Sequence, residues 1–295
     1  MPTPPDELGD ALALIASACG EATTSEKRTS EPSAAPTTAA VRPWITQERA
    51  QERLDEAATL ALEAATGSYA LEYAPPIDEE IEISGSWDLL RGASSWVMAG
   101  GAGDERVRVE IRGLESGAYL TMAVPHQPGA GCWMKMGRQD MTAAAEKGGL
   151  PTAAIGVMGD QYVGVLLEPV ASAQQVDRRG RLLMDLPLAD ALALSAPSLG
   201  KKLLASMPEA LDGLVVPVAV TLRPDGSYDE LVMPLETTRD LLVEADAVTS
   251  EQAEQLQSFG SEVAIDYEGF GEPVTVEAPK RSAVVLLGKE IPARC

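Results

Sequence analysis

The sequence predicts an α+β fold built on antiparallel sheet, and three observations lead there. Short segments alternate apolar and polar residues, among them Glu80-Ile81-Glu82-Ile83 and the stretch from Arg106 to Arg112. A turn of defined chemistry, Arg223-Pro224-Asp225-Gly226-Ser227, joins two apolar runs. Helical patterns are grouped between sets of strands instead of alternating with them, which argues against a Rossmann-like order.

Taken in order, the first element is a helix. Thr46 is a candidate N-cap, with Gln47, Glu48 and Arg49 in the first turn. Leu54, Ala58, Ala61 and Ala65 recur at helical spacing, and Gly67 is the expected stop. Strands are expected at 68–73, 80–83, 95–99, 106–112, 118–124 and 132–136. Helical patterns follow at 140–147, 160–173 and 188–207, the last two interrupted by Pro169 and Pro197. A strand is expected at 181–186, between those two helices. In the hairpin, Pro224 presets φ, Asp225 bonds its own backbone and Gly226 takes positive φ, so 215–222 and 228–235 are antiparallel neighbours. Thr249-Ser250-Glu251 opens a further helix through Gln257. Val263, Ile265 and Tyr267 then alternate with Glu262, Asp266 and Glu268, and Val274 and Val276 flank Thr275. Period-two patterning with charge on one side means one face covered and one face wet.

Composition excludes several functions. The 295 residues carry 45 acidic and 23 basic side chains, a net charge of −22. Such a surface repels phosphate backbones, so nucleic-acid binding is not expected. It also disfavours direct adhesion to anionic lipid. No apolar run reaches the roughly 18 residues of a spanning helix.

The N-terminus has an address-like pattern. Ala11-Leu12-Ala13-Leu14-Ile15-Ala16-Ser17-Ala18 is apolar and small, and Cys19-Gly20 follows. That order resembles a bacterial lipobox: residues 1–19 form an export signal, Cys19 takes the lipid (a palmitate-type acyl chain), and 20–43, rich in Pro, Thr, Ser and Ala, form a disordered tether. The opening residues depart from that pattern, since Asp6, Glu7 and Asp10 stand where basic residues belong. The competing reading is an Ala-rich disordered terminus with an incidental cysteine. Residues 44–295 form the folded domain. With Cys19 acylated, Cys132 and Cys295 remain, and in an exported protein they can pair.

No catalytic constellation is present, so no enzyme, metal or cofactor is expected. His126 is the only histidine and sits in a Pro-Gly turn, which leaves neither a His-rich zinc site nor a Ser-His-Asp triad. Asp78, Glu79, Glu80 and Glu82 form an acidic cluster that reads as a solvated strand face. Gly100-Gly101-Ala102-Gly103 lacks a Lys-Thr/Ser partner and reads as a hairpin loop, not a phosphate cradle.

The element order from Trp44 onward, with Ile83-Ser84-Gly85-Ser86-Trp87-Asp88, the Val218–Gly226 hairpin and the closing Val263–Val274 and Ala278-Pro279 segments, resembles the LolA/LppX-like lipoproteins (LppX/LprG type) of actinobacteria. The resemblance implies a strongly curved antiparallel half-barrel with helices over its concave face, and a hydrophobic guest between sheet and helices. It also implies an extracytoplasmic protein held at the cell membrane through Cys19. On that fold the residues expected to face the cavity are Ile81, Ile83, Val107, Val109, Ile111, Val218, Val220, Leu222, Val263 and Ile265. Met134, Met136, Met158 and Met184 are candidates for an adaptable lining. The alternative is a non-catalytic structural or interaction lipoprotein whose concavity is ordinary core. Low aromatic content (4%) and two proline-broken helices depart from the family pattern.

Overall fold

A computed structural model describes residues 45–73, 81–101, 106–124, 132–137, 160–195, 211, 213–249, 253 and 260–286. The chain divides into two compact units, Met1–Ile45 and Thr46–Cys295. Cys19, the 20–43 segment, Asp78, Glu79, Glu80, His126, the 140–147 helix, Met158, Pro197 and Cys295 lie outside the described residues.

Unit two is α+β. Twelve strands form one sheet: β1 (Thr66–Tyr73), β2 (Glu82–Asp88), β3 (Ala93–Gly100), β4 (Val107–Leu114), β5 (Gly117–Ala123), β6 (Trp133–Met136), β7 (Ala171–Val176), β8 (Leu182–Pro187), β9 (Val215–Leu222), β10 (Tyr228–Pro234), β11 (Glu262–Glu268) and β12 (Val284–Leu286). Their spatial order is β12-β6-β5-β4-β3-β2-β1-β11-β10-β9-β8-β7, so β12 and β7 are open edges. Every pairing is antiparallel except β12 on β6. The sheet is open, its strand order running from one free edge to the other without closing. At Tyr228/Glu230 two residues of β10 oppose one step of β9, a bulge that sharpens local twist and bend, and the β7–β8 register is irregular between Ala171 and Val176.

Four helices among the described residues lie over one face: α1 (Gln47–Ala64), α2 (Asp160–Leu167), α3 (Leu188–Ser195) and α4 (Leu235–Glu244). Thr46 caps α1 as expected, its Oγ1 accepting from Arg49 N at 3.2 Å. The α1 stripe of Ala50, Leu54, Ala57, Ala58 and Ala61 is buried. Gln51 of α1 bonds both ways to the chain entering β7: its Nε2 donates to Pro169 O (2.8 Å) and its Oε1 accepts from Ala171 N (2.7 Å). These bonds occupy backbone groups at an edge that would otherwise invite another strand.

Tyrosines join the helical layer to the sheet. Tyr228 Oη donates to Leu166 O at 2.9 Å, and Tyr267 Oη donates to Tyr162 O at 2.8 Å. Leu166 O belongs to the last turn of α2, where carbonyls lack intrahelical partners. The hairpin turn behaves as its chemistry demands. Arg223 N donates to Ser227 O (2.8 Å), Asp225 Oδ1 accepts from Ser227 N (2.9 Å), and Gly226 has φ of 91°.

Several expectations need correction. The α1 stop is Ala65, with φ of 58°, not Gly67. Gly67 lies in β1, where an added Cβ would stand 2.4 Å from the Trp87 ring. The helix expected over 160–173 ends at Leu167, because Pro169 terminates it, and Ala171 begins β7. Of the 188–207 helix, Leu188–Ser195 is described. The strand expected to reach Leu235 ends at Pro234, and Leu235 opens α4. Val274–Val276 is not in a strand, whereas Val284–Leu286 forms the parallel edge β12.

Gly85 is as tightly enclosed as Gly67. A Cβ at Gly85 would come within 2.4 Å of Tyr69 Cζ and 2.7 Å of Ser95 O, a backbone atom that cannot swing aside. Gly85→Ala is expected to cost about 1–3 kcal/mol by overpacking, measured as a lowered denaturation midpoint with unchanged m-value.

Candidate functional site

Strand register decides which residues share a face, and it assembles one long apolar row. Met122 pairs with Val109, Val109 with Met98, Met98 with Ile83, and Ile83 with Leu71. The row continues through Ile265, Leu231 and Val220 to Leu182. It crosses from β5 to β8 without a charged residue. The sequence-derived candidates Ile83, Val109, Val220 and Ile265 are members. Ile111, Val107, Val218, Leu222 and Val263 occupy the same face by alternation along their strands, and Ile81 precedes β2 in the same phase. This is the face that carries the helices.

The candidates divide by burial. Val218, Val220, Val263 and Ile265 are no more than 1% exposed, under the helical layer. Ile81, Val107 and Leu222 are half-buried. The described helices pack chiefly against β7, β8, β9 and β11. On the β3–β6 part of the same face, Met98, Met122 and Met134 are half-buried while Met136 is buried. Met184 is buried in β8 beneath the helices.

A second row lies one step along the strands and holds an aromatic cluster that periodicity did not single out. Tyr69 and Trp87 are stacked with ring centres 6.2 Å apart, and Tyr162 of α2 approaches Tyr69 to 4.5 Å. Trp87 also meets Tyr267 at 6.4 Å and Phe270 at 5.8 Å, both edge-on. Two of these aromatics face a glycine across the β1–β2 pair: Tyr69 opposes Gly85, and Trp87 opposes Gly67. The sequence signal is a repeated Gly-Ser-aromatic triplet, Gly67-Ser68-Tyr69 and Gly85-Ser86-Trp87. In such pairs the glycine makes room for the facing ring.

Polar atoms in this cluster are unevenly satisfied. Tyr267 Oη has its carbonyl partner on α2. Tyr69 Oη, Trp87 Nε1 and Trp96 Nε1 are buried with no hydrogen-bond partner among the described residues. Burial, and secondarily the neighbouring Tyr162 and Tyr267, pushes the Tyr69 hydroxyl well above the usual phenol range. It therefore stays a neutral O–H donor.

The opposite face has different chemistry. A groove of about 540 Å³ runs over β1–β3 and β11, floored by Ser68, Ala70, Ser84, Ser86, Ser95 and Val97. Glu72, Asp229, Asp266, Glu268 and Arg223 line it too. Ser86 and Ser95 hydroxyls meet at 2.7 Å. Arg223 is engaged by Asp229 Oδ1 at 3.1 Å and by the Tyr267 carbonyl. Burial first, then the surrounding Glu72, Glu230, Asp229 and Glu268 carboxylates, raise the Asp266 carboxyl above the usual carboxylate range. Glu82, from the acidic cluster, is a solvated strand residue paired with Arg106 at 2.5 Å. Among the described residues no His, Cys, Asp and Glu cluster could hold a metal ion, and no helix is long and apolar enough to cross a membrane. Cys132 is disulfide-bonded, with its partner outside the described residues.

Because the folded-state pKa of Asp266 is raised, ionising it opposes folding. The associated stability is present below the unfolded pKa of about 3.9 and is lost as pH rises through the folded value. Asp266→Asn is expected to stabilise the protein at neutral pH by less than about 1 kcal/mol. That gain should vanish when denaturation is repeated below the unfolded pKa.

No family model matches the chain, and no curated protein matches it. Among solved structures the chain is similar to LprF from Mycobacterium bovis, at 14% sequence identity and a TM-score of 0.40, with 79% of this chain and 98% of that chain covered.

Proposed function

We propose that the protein is a cell-envelope lipoprotein, anchored through an acyl chain on Cys19, that holds a hydrophobic, lipid-like ligand against the inner face of its half-barrel and catalyses no reaction. The observation that carries this reading is the uncharged apolar row crossing nine strands from β5 to β8. Burial of an acyl chain against such a surface is worth about 0.8 kcal/mol per methylene. The half-buried Met98, Met122 and Met134 supply side chains that repack around guests of different shape. The net charge of −22 keeps the body away from an anionic membrane surface while a tether holds it near.

A specific observation also favours a second reading. Val218, Val220, Val263 and Ile265 are packed as ordinary core. In a structural or interaction lipoprotein the whole inner face would be filled in the same way, and a partner protein would meet the outer face.

One experiment separates the two. The full chain is isolated from membranes by mild extraction, and its organic-soluble fraction is analysed by mass spectrometry. A lipid recovered in near-stoichiometric amount supports the carrier reading, whereas protein with no bound lipid and no uptake of added lipid supports the filled core. In the same cells Cys19→Ala is expected to move the protein from the membrane fraction to the soluble one. Wild-type protein found soluble in the cytoplasm would overturn the anchor.

A further inference from the structure

We propose that Tyr69, Trp87 and Trp96 form a donor patch that selects guests bearing uncharged oxygen (ester, ether or hydroxyl) over bare hydrocarbon and over carboxylate. The inference rests on the lipid-binding reading above and adds the chemistry of the guest. All three side chains are more than nine-tenths buried. All three carry a hydrogen that no group among the described residues accepts. A buried donor without an acceptor costs about 1–3 kcal/mol, so three on one face are an unusual concentration of unmet demand.

Their placement makes the demand a joint one. Tyr69 Oη lies over Gly85, where a Cβ would be 2.4 Å away. Trp96 is the partner of Gly85 on the next strand, about 4.8 Å across the sheet. On the other side Trp87 lies over Gly67, and a Cβ there would meet its Cε2, the carbon bonded to Nε1, at 3.1 Å. The two glycines thus keep space above the sheet for rings whose polar ends are left unpaired.

The chemistry of the patch limits what can satisfy it. Indole N–H groups only donate, so the guest must supply acceptors, which a hydrocarbon lacks. No charged side chain occupies the inner-face positions of β1–β3. A carboxylate or phosphate there would be buried without a countercharge, a cost that a neutral ester oxygen avoids.

The test uses the delipidated full chain and three probes of matched chain length: an n-alkane, the methyl ester and the free carboxylate. Affinities are measured by equilibrium partition of isotope-labelled probe. The ester is expected to bind about tenfold tighter than the alkane and the carboxylate. Tyr69→Phe and Trp96→Phe remove donors and keep aromatic rings. Each is expected to lose several-fold of the ester preference while alkane affinity stays unchanged, a split that general damage to the core would not produce. Equal binding of ester and alkane by wild type, as expected if ordered water alone meets these donors, overturns the inference and leaves the lipid reading standing. Ester preference that survives both substitutions overturns the assignment to these residues. Failure of all three probes to bind removes the lipid reading and this inference together.

Discussion

Attachment of the helical layer to the sheet depends on the central tyrosines. Tyr228 and Tyr267 are fully buried, and each spends its hydroxyl on a carbonyl of α2. A buried phenol is tolerable only with such a partner, and the last-turn carbonyl of a short helix needs a donor as well. Two needs are met by one bond, and its length fixes how closely α2 approaches β10 and β11. The neighbouring Tyr69 contributes ring contact to Tyr162 of the same helix but leaves its hydroxyl unpaired. The inner face therefore changes character along the sheet, from a fixed helical lid over β10 and β11 to an aromatic surface with unspent donors over β1–β3.

The two faces of the sheet are chemically opposed because side-chain period two makes them so. Along β11, Val263, Ile265 and Tyr267 go inward, while Glu262, Asp266 and Glu268 go outward. Register carries the same division into β1, where Leu71 faces in and Glu72 out. One outcome is an inner row of apolar side chains without a charge. The other is an outer groove crowded with carboxylates, in which Asp266 resists ionisation. Such a groove keeps that face hydrated, and its acidic side chains alternate one by one with the inner-face residues of the same strand.

Much of the architecture was legible in the sequence. The cap at Thr46, the Pro-Asp-Gly hairpin and the 215–222 strand follow from local chemistry: a hydroxyl that accepts from a helix N-terminus, a fixed φ, an αL glycine, an apolar run bounded by a turn. Period two marks Ile83, Val109, Val220 and Ile265 as the apolar phase of their own strands, and register between strands is what places the four in one row. The misreadings occur where local signals compete. Pro169 could bend a helix or end it, and Ala171 pairing into the sheet decided for an end. Leu235 continues the apolar run of β10, so its role in opening α4 is invisible until Pro234 breaks the ladder. Gly67 could stop a helix or admit a ring, and Trp87 on the neighbouring strand settled it.

Alternation, turn residues and composition by themselves determined the α+β class, the antiparallel 215–222/228–234 hairpin, which residues within one strand share a side, and the acidic surface, because each of these depends on neighbours within a few positions or on composition. Tertiary structure alone decided the strand order, the parallel edge strand β12, the glycine–aromatic pairs and the unpaired donors of Tyr69, Trp87 and Trp96. Those depend on which strands lie side by side, and contacts between residues far apart in the chain leave no periodic trace in it.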